Sequence, residues 1–205
     1  MNLLSRSLHG PAPWENVLDA VLASPEPRCL PAGEINGERF FCALLAGAPA
    51  RFARARESLR HGDLGRAMGE VGIAIDAIHG LHLHTRYQKD GVDHKLAESS
   101  LVAALVGPLS GGPGMEIAAL PHPTVATTLD AIWSSFHQGF RNLPDIAIAD
   151  ADSVEIDNAN DDPVPVIVDG ETIQVGRRVD VKFVEQGGWC LTAAKSPLAS
   201  AVPQV

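Results

Sequence analysis

The chain has 205 residues with a net charge of −9, and 45% of its residues are hydrophobic while 20% are charged. This balance is typical of a globular protein with a hydrophobic core, and the acidic excess without a basic block argues against nucleic-acid binding. The same excess makes electrostatic capture by an anionic membrane weak, so any contact with lipid would have to be apolar.

The sequence shows neither a secretory leader nor a run of about 18 apolar residues, so we expect a soluble, cytoplasmic protein. Its three cysteines, Cys29, Cys42 and Cys190, are widely spaced and form no Cys-x-x-Cys pair. A disulfide framework or a zinc knuckle would need such pairing. We therefore expect buried, reduced thiols.

The chain begins with two helical patterns followed by a hairpin. Helices are predicted over Met1–His9 and Trp14–Leu22, and the proline-rich segment Ser24–Pro27 ends the second one. From Cys29 onward the pattern is typical of strands. Two strands within Glu34–Phe41 are joined by Asn-Gly, a dipeptide that favours a type I′ hairpin turn.

Two further helices are predicted over Pro49–Arg60 and Leu64–Ile78, where apolar residues recur at spacings of three and four. We expect both helices to pack on the sheet that the hairpin opens. A fifth helix is predicted later in the chain, over Thr124–Phe140.

Short apolar or alternating runs follow Gly80, which is the pattern of an antiparallel sheet. The runs are Leu81–Gln88, Leu96–Leu105, Met115–Leu120, Asp145–Asp157, Val164–Val168, Val179–Val184 and Trp189–Ala193. The sequence therefore predicts an α+β fold dominated by an antiparallel β-sandwich with packed helices.

Three clusters allow both a functional and a plain structural interpretation. His82 and His84 would share a strand face near His79 and could bind zinc, but a fourth ligand is lacking, and a surface strand is the alternative. The acids of residues 145–162 could suggest calcium, but they lack the ligand loop of calcium sites, so solvent-facing acids are the alternative. The apolar stripe of residues 129–140 fits either a core face or a lipid pocket.

The tripeptide Asp169-Gly170-Glu171 follows the apolar run Val164–Val168. A glycine between two acids lets the backbone turn with positive φ, so that both carboxylates can reach the rim of a cleft and deprotonate a hydroxyl there. The same Asp-Gly dipeptide between apolar strands is also a strong signal for a hairpin turn. The residues alone leave both interpretations open.

Taken in order, several segments resemble the diacylglycerol kinase catalytic family, which contains bacterial lipid kinases and the sphingosine and diacylglycerol kinases. Met1–Leu8 resembles the helix that follows the family's nucleotide-binding loops. Gly33–Phe41 is similar to the strand pair that opens the family's C-terminal domain, and Val164–Glu171 is similar to its closing strand with Asp-Gly-Glu. The resemblance covers residues 1–194 and depends on the order and spacing of the segments.

The resemblance implies the C-terminal domain of a two-domain lipid kinase, which uses ATP and Mg²⁺ to phosphorylate a lipid hydroxyl. Glu171 would be the general base, Asp169 would assist it or the catalytic metal, and Asn2 would contact the cofactor. The acceptor would be a lipid with a free hydroxyl, such as diacylglycerol or a sphingoid base. We expect this lipid to bind in a groove walled by the helices of Pro49–Ile78. We also expect the protein to contact the inner membrane face peripherally and to self-associate.

Two departures from the family limit what the resemblance implies. The family's Gly-Gly-Asp-Gly-Thr phosphate-binding segment has no counterpart, and Gly111–Gly114 lacks the Lys and the Ser or Thr that complete a phosphate loop. The family's structural Mg²⁺ is not expected either, because Met115–Leu120 contains a single acid and no Asp-Gly.

These departures define the expected organisation of the chain. Residues 1–28 would be a helical remnant of the nucleotide-binding domain with its linker, residues 29–195 the lipid-kinase domain, and residues 196–205 a flexible tail. We expect the chain alone to be inactive as an enzyme. The alternative is a non-catalytic module of the same fold that binds lipid or another protein.

Overall fold

The computed structural model describes residues 3–47, 50, 58, 61–66, 68–70, 81–110, 112–121, 141 and 145–193. The predicted helix over Thr124–Phe140 and the tail lie outside these residues, and those over Pro49–Arg60 and Leu64–Ile78 lie mostly outside them. In the second of these segments the described residues are helical, and Asp63 caps the start by accepting a hydrogen bond from the Arg66 amide at 3.0 Å.

Two short helices precede twelve strands in the described part of the chain. The helices are α1 (Leu3–His9) and α2 (Trp14–Ala23), which confirms both helices predicted there. The strands are β1 (Pro25–Ile35), β2 (Glu38–Phe40), β3 (Ala43–Gly47), β4 (Leu83–Lys89), β5 (Val92–Lys95), β6 (Leu101–Leu105), β7 (Met115–Leu120), β8 (Ala147–Ala151), β9 (Ser153–Asn158), β10 (Val166–Val168), β11 (Glu171–Ile173) and β12 (Arg178–Ala193). A 3₁₀ turn, Gly107–Leu109, follows β6.

The strands form two six-stranded antiparallel sheets. Sheet A has the order β2-β1-β12-β9-β4-β5, and sheet B has the order β11-β10-β3-β6-β7-β8. The main hydrophobic core lies between them, because its buried side chains come from both sheets, such as Phe40 and Ile156 from sheet A and Leu44 and Ile117 from sheet B. This arrangement confirms the α+β fold with an antiparallel β-sandwich.

The Asn36-Gly37 hairpin is confirmed in detail. Asn36 and Gly37 have φ angles of 52° and 83°, and the flanking residues Ile35 and Glu38 pair across the turn. Both central residues are left-handed, as a type I′ turn requires, and asparagine and glycine tolerate that conformation best.

The first strand begins earlier than predicted. It starts at Pro25 rather than near Cys29, so the expected boundary between residues 28 and 29 falls within β1. Proline lacks an N–H and is tolerated on an unpaired strand edge. Pro25 and Pro27 lie in the part of β1 that pairs with β12 alone among the described residues, since β2 pairs only with residues 33–35.

The last strand is longer than predicted. Val179–Val184 and Trp189–Ala193 were expected as separate strands, but both belong to β12, which runs unbroken through Gly187-Gly188. The glycines are accommodated opposite a bulge between Leu30 and Ala32 of β1. A Cβ added to Gly187 would lie 2.2 Å from the Cβ of Ala32, so the close approach of the two strands requires glycine.

No helix in the described part of the chain is long and apolar enough to span a membrane. The helix α2 packs against β1 and β12. Its Val17 and Val21 are half-buried, whereas the neighbouring stripe of Trp14, Leu18 and Leu22 is exposed.

Candidate functional site

The Asp169-Gly170-Glu171 segment forms a two-residue hairpin turn at the edge of sheet B. Val168 of β10 pairs with Glu171 of β11, and the central residues Asp169 and Gly170 have φ angles of 47° and 96°. The hairpin interpretation of this tripeptide is therefore confirmed. Because β11 is the outermost strand of the sheet, the turn carries its carboxylates to a sheet edge.

The Asp169 carboxylate accepts three backbone hydrogen bonds from one short segment. The amide of Phe41 donates to Oδ2 at 2.8 Å, and the amides of Cys42 and Ala43 donate to Oδ1 at 2.9 Å each. The amide of Asp169 in turn donates to the Ala43 carbonyl at 2.9 Å. This segment is the place where the chain leaves β2 of sheet A and enters β3 of sheet B.

Glu171 differs from Asp169 in its surroundings. Its side chain is exposed, and it forms no hydrogen bond or ion pair with the residues that the structure describes. The two predicted site residues are thus brought into one turn, but only Asp169 is bonded. The third, Asn2, lies outside the described residues.

Cys42, at the centre of the segment that Asp169 holds, is buried and reduced. Burial, and in second place the negative charge of Asp169, together raise the pKa of the Cys42 thiol from 9.0 to about 12. A thiol with this pKa stays protonated at neutral pH. A buried, protonated thiol of this kind is a poor nucleophile.

The predicted histidine cluster is only partly within the described residues, because His79 lies outside them. His82 and His84 share the carboxylate of Glu98, with Nδ1 of His82 2.5 Å from Oε1 and Nε2 of His84 3.3 Å from Oε2. Hydrogen bonding to the two imidazoles holds the pKa of Glu98 below its ordinary value. All three side chains are exposed, as expected for a surface strand.

Two of the acids considered as calcium ligands, Glu155 and Asp157, form ion pairs with arginines on neighbouring strands. Arg178 of β12 and Arg86 of β4 contact opposite oxygens of Glu155 on β9, at 2.6 Å and 3.2 Å. Arg86 also reaches Asp157 at 3.5 Å. These pairs lie across three adjacent strands of sheet A and engage the carboxylates of Glu155 and Asp157.

The described residues do not fit a resident metal ion. Within the ranges that the structure covers, no three His, Cys, Asp or Glu side chains are grouped so that they could hold one. Glu116, the single acid in β7, is buried and forms an ion pair with Arg141 at 2.7 Å. Three amides occupy the carboxylate of Asp169. We therefore assign no metal to this part of the chain.

The partner segment of Asp169 was not apparent from the sequence. Phe41–Ala43 lies some 126 to 128 residues away from Asp169 in the chain, and it contributes only backbone amides. Backbone amides carry no residue-specific signal, so no spacing or motif could have indicated this contact. The part played by Glu98 was likewise missed, although it lies 14 and 16 residues from its histidine partners.

No protein-family model matches this sequence, and no curated protein matches it. The solved structures that are similar include three from Bacillus anthracis strain Sterne; one is named as a diacylglycerol kinase and two carry that name provisionally. The first shares 14% identity with a TM-score of 0.49, covering 83% of this chain and 59% of its own. The second shares 13% with a TM-score of 0.47, covering 83% and 56%. The third shares 15% with a TM-score of 0.44, covering 80% and 55%.

The chain thus spans less than two thirds of the length of these three structures. At such identities and TM-scores the likeness carries nothing about activity.

Proposed function

We propose that this chain supplies the lipid-binding and base-providing part of a lipid kinase, which transfers the γ-phosphoryl group of ATP to a lipid hydroxyl. The observation that carries the proposal is the turn at Asp169-Gly170. It is tied to the Phe41–Ala43 segment by four hydrogen bonds and leaves the Glu171 carboxylate exposed and unbonded to described residues. The order of segments that resembles the diacylglycerol kinase catalytic family supports the same reaction.

The reaction requires few protein groups besides a carboxylate that such a turn can present. Phosphoryl transfer requires positioning, neutralisation of charge, and a carboxylate that accepts the proton of the attacking hydroxyl. In the proposal, a Glu171 oxygen takes that proton while the lipid oxygen forms its bond to the γ-phosphorus and the bond to ADP breaks. A general base of this kind contributes about 10²–10⁴-fold to the rate. We assign ATP and Mg²⁺ to no described residue.

The test replaces Glu171 by glutamine in the protein as its gene encodes it, including any residues that precede Met1. The assay is transfer of labelled phosphate from ATP to diacylglycerol or a sphingoid base in mixed micelles. Glu171→Gln is expected to lower kcat by about 10²–10⁴-fold. Glu38→Gln is the matched control, because Glu38 is also exposed and follows a two-residue hairpin turn in the same register.

Two results would contradict the proposal. If the wild-type protein phosphorylates none of these lipids, the kinase assignment is wrong. If Glu171→Gln and Glu38→Gln retain equal, undiminished activity, the base is another residue.

A second candidate is a non-catalytic module that binds lipid or another protein. The observation in its favour is the exposure of large apolar side chains on α2 and β12, including Trp14 at 69% and Trp189 at 72%. Scattered exposed apolar residues are normal, but two exposed tryptophans beside exposed leucines are typical of an interaction surface. Sedimentation with phosphatidylcholine vesicles, without any ATP-dependent phosphorylation, would favour this candidate over the kinase.

A further inference from the structure

We propose that Asp169 is a positioning residue, whose carboxylate fixes the turn that presents Glu171, and not a proton acceptor or a metal ligand. The three hydrogen bonds from the amides of Phe41, Cys42 and Ala43 to the Asp169 carboxylate form a backbone clamp, which is independent of the proposed function. Only the consequence for Glu171 rests on the lipid-kinase assignment.

The number of bonds to the carboxylate is the first step of the argument. An ionised carboxylate has about four acceptor sites on its two oxygens, and here three of them are used by the amides of Phe41, Cys42 and Ala43. The distances of 2.8 to 2.9 Å are those of well-formed hydrogen bonds to a charged acceptor. Binding a cation or taking a proton would require these oxygens to give up bonds that they already make.

The position of Asp169 in the turn is the second step. It has a left-handed φ of 47°, its own amide donates to the Ala43 carbonyl, and the preceding Val168 pairs with Leu44 of β3. Side chain and backbone of one residue thus both fix the turn to the start of β3. Glu171 follows two residues later, so its place depends on this attachment.

The directions of the surrounding amides fit a carboxylate acceptor at this position. Three amides pointing at one position form a concave anion site of the kind that successive backbone N–H groups create. The negative charge of Asp169 contributes to the raised pKa of the neighbouring Cys42. An asparagine at this position would place an amide N–H₂ group against backbone donors and would lose at least part of the set.

The chain contains a matched control for this carboxylate. Asp90-Gly91 is the same dipeptide in a two-residue turn, with φ angles of 51° and 76°, and joins β4 to β5. The side chain of Asp90 is 84% exposed, and the contact that the structure gives it is Lys89 at 3.9 Å. Asp90→Asn therefore changes the same residue type in the same turn without removing a backbone clamp.

The experiment compares Asp169→Asn with Asp90→Asn by thermal unfolding and by hydrogen exchange. Asp169→Asn is expected to lower Tm by roughly 4–10 °C, because it weakens several charge-assisted bonds in a chain of this size. It should also speed exchange of the Phe41, Cys42 and Ala43 amides at least about tenfold, since the loss of a bond exposes each N–H. Asp90→Asn should change neither quantity.

A second variant keeps the test decisive if Asp169→Asn does not fold. Glycine fits the left-handed φ, so Asp169→Gly leaves the turn possible while it empties the amide site. Sodium formate, a free carboxylate, should then raise the Tm of Asp169→Gly by several degrees more than it raises that of Asp90→Gly. Equal responses of the two glycine variants would overturn the clamp, as would equal Tm and exchange in the two asparagine variants.

Kinetic constants distinguish a positioning role of Asp169 from a catalytic or metal-binding one. In the active protein, Asp169→Asn should lower kcat while the KM for ATP and the Mg²⁺ concentration for half-maximal rate stay unchanged. A raised requirement for Mg²⁺ would instead make Asp169 a metal ligand and overturn the inference. If the wild-type protein shows no lipid phosphorylation, the proposed function fails, but unfolding and exchange still decide whether Asp169 is a clamp.

Discussion

Replacing Gly47 by alanine should destabilise the protein much more than a glycine in the same backbone conformation elsewhere. Gly47 ends β3 with a φ of 94°, and its amide donates to the Pro165 carbonyl at 2.8 Å. A Cβ at this position would lie 2.2 Å from the carbonyl oxygen of Ser100 and 2.9 Å from Cδ1 of Leu83. The nearest obstacle is backbone of the neighbouring strand region, which cannot rotate away as a side chain can.

Two costs therefore add in Gly47→Ala. A left-handed alanine costs about 1–2 kcal/mol, and forcing extra volume into a packed core costs about 1–3 kcal/mol. The lower entropy of the unfolded alanine chain offsets about 0.4–1 kcal/mol of this. We expect a net loss of about 3 kcal/mol in the free energy of unfolding, which corresponds to a Tm lower by roughly 6–12 °C for a chain of this size.

The control is Gly37→Ala. Gly37 has a similar φ of 83°, but nothing lies within 4 Å of the Cβ that alanine would add. This variant has only the conformational cost, so its free energy of unfolding should fall by about 1 kcal/mol or less. Urea unfolding of both variants measures the difference. Equal losses would refute the argument that contact with Ser100, and not φ alone, makes glycine necessary at position 47.

Three further predictions concern packing and titration. Gly33→Ala should lower the free energy of unfolding by about 1–3 kcal/mol, because the Cβ of alanine would lie 2.1 Å from Cζ of the buried Phe40. This loss should be smaller in a Phe40→Leu background. If the two substitutions are additive in a double-mutant cycle, the clash is disproved. The folded-state pKa of Glu98 is lowered below 4.5, so the stabilising effect of the Glu98 carboxylate is complete above pH 4.5 and is lost as the pH falls through the lower folded value. The difference in unfolding free energy between wild type and Glu98→Gln should therefore vanish at acidic pH. A difference that does not change with pH would contradict this. With its pKa of about 12, Cys42 should resist alkylation by iodoacetamide at pH 8 until guanidinium unfolds the chain. Rapid labelling at Cys42 itself in the native protein, located by peptide mass mapping apart from the half-buried Cys29 and Cys190, would show that it is not shielded.

Local chemistry made several elements predictable. Asn36-Gly37 and Asp169-Gly170 adopt left-handed turns because few other residues tolerate that conformation, and the flanking apolar residues specify the strands. The strand β5 was missed because all four of its residues are exposed, so it has no alternating pattern. The available signal was the dipeptide Asp90-Gly91, which forms the third turn of the same kind.

The run Asp145–Asp157 shows where local pattern stops being sufficient. The sequence predicts one strand, but the structure contains β8 in sheet B and β9 in sheet A, separated at Asp152. At this point the chain crosses the sandwich, and the Asp152 carboxylate accepts a hydrogen bond from the Asp90 amide at 2.7 Å. Alternation of apolar residues is the same in either sheet, so it cannot tell which neighbour a strand pairs with.

The sequence by itself determined the two N-terminal helices, most strands, the turns and the sandwich class, because these follow from backbone preferences and from burial of alternate side chains. Only the tertiary structure decided the sheet order, the unbroken path of β12 past Gly187, and the different surroundings of Asp169 and Glu171. Each of these depends on contacts between residues far apart in the chain, often through backbone atoms that every residue shares. The amides of Phe41–Ala43 are the clearest case, because they meet the Asp169 carboxylate only when β3 and β10 have paired.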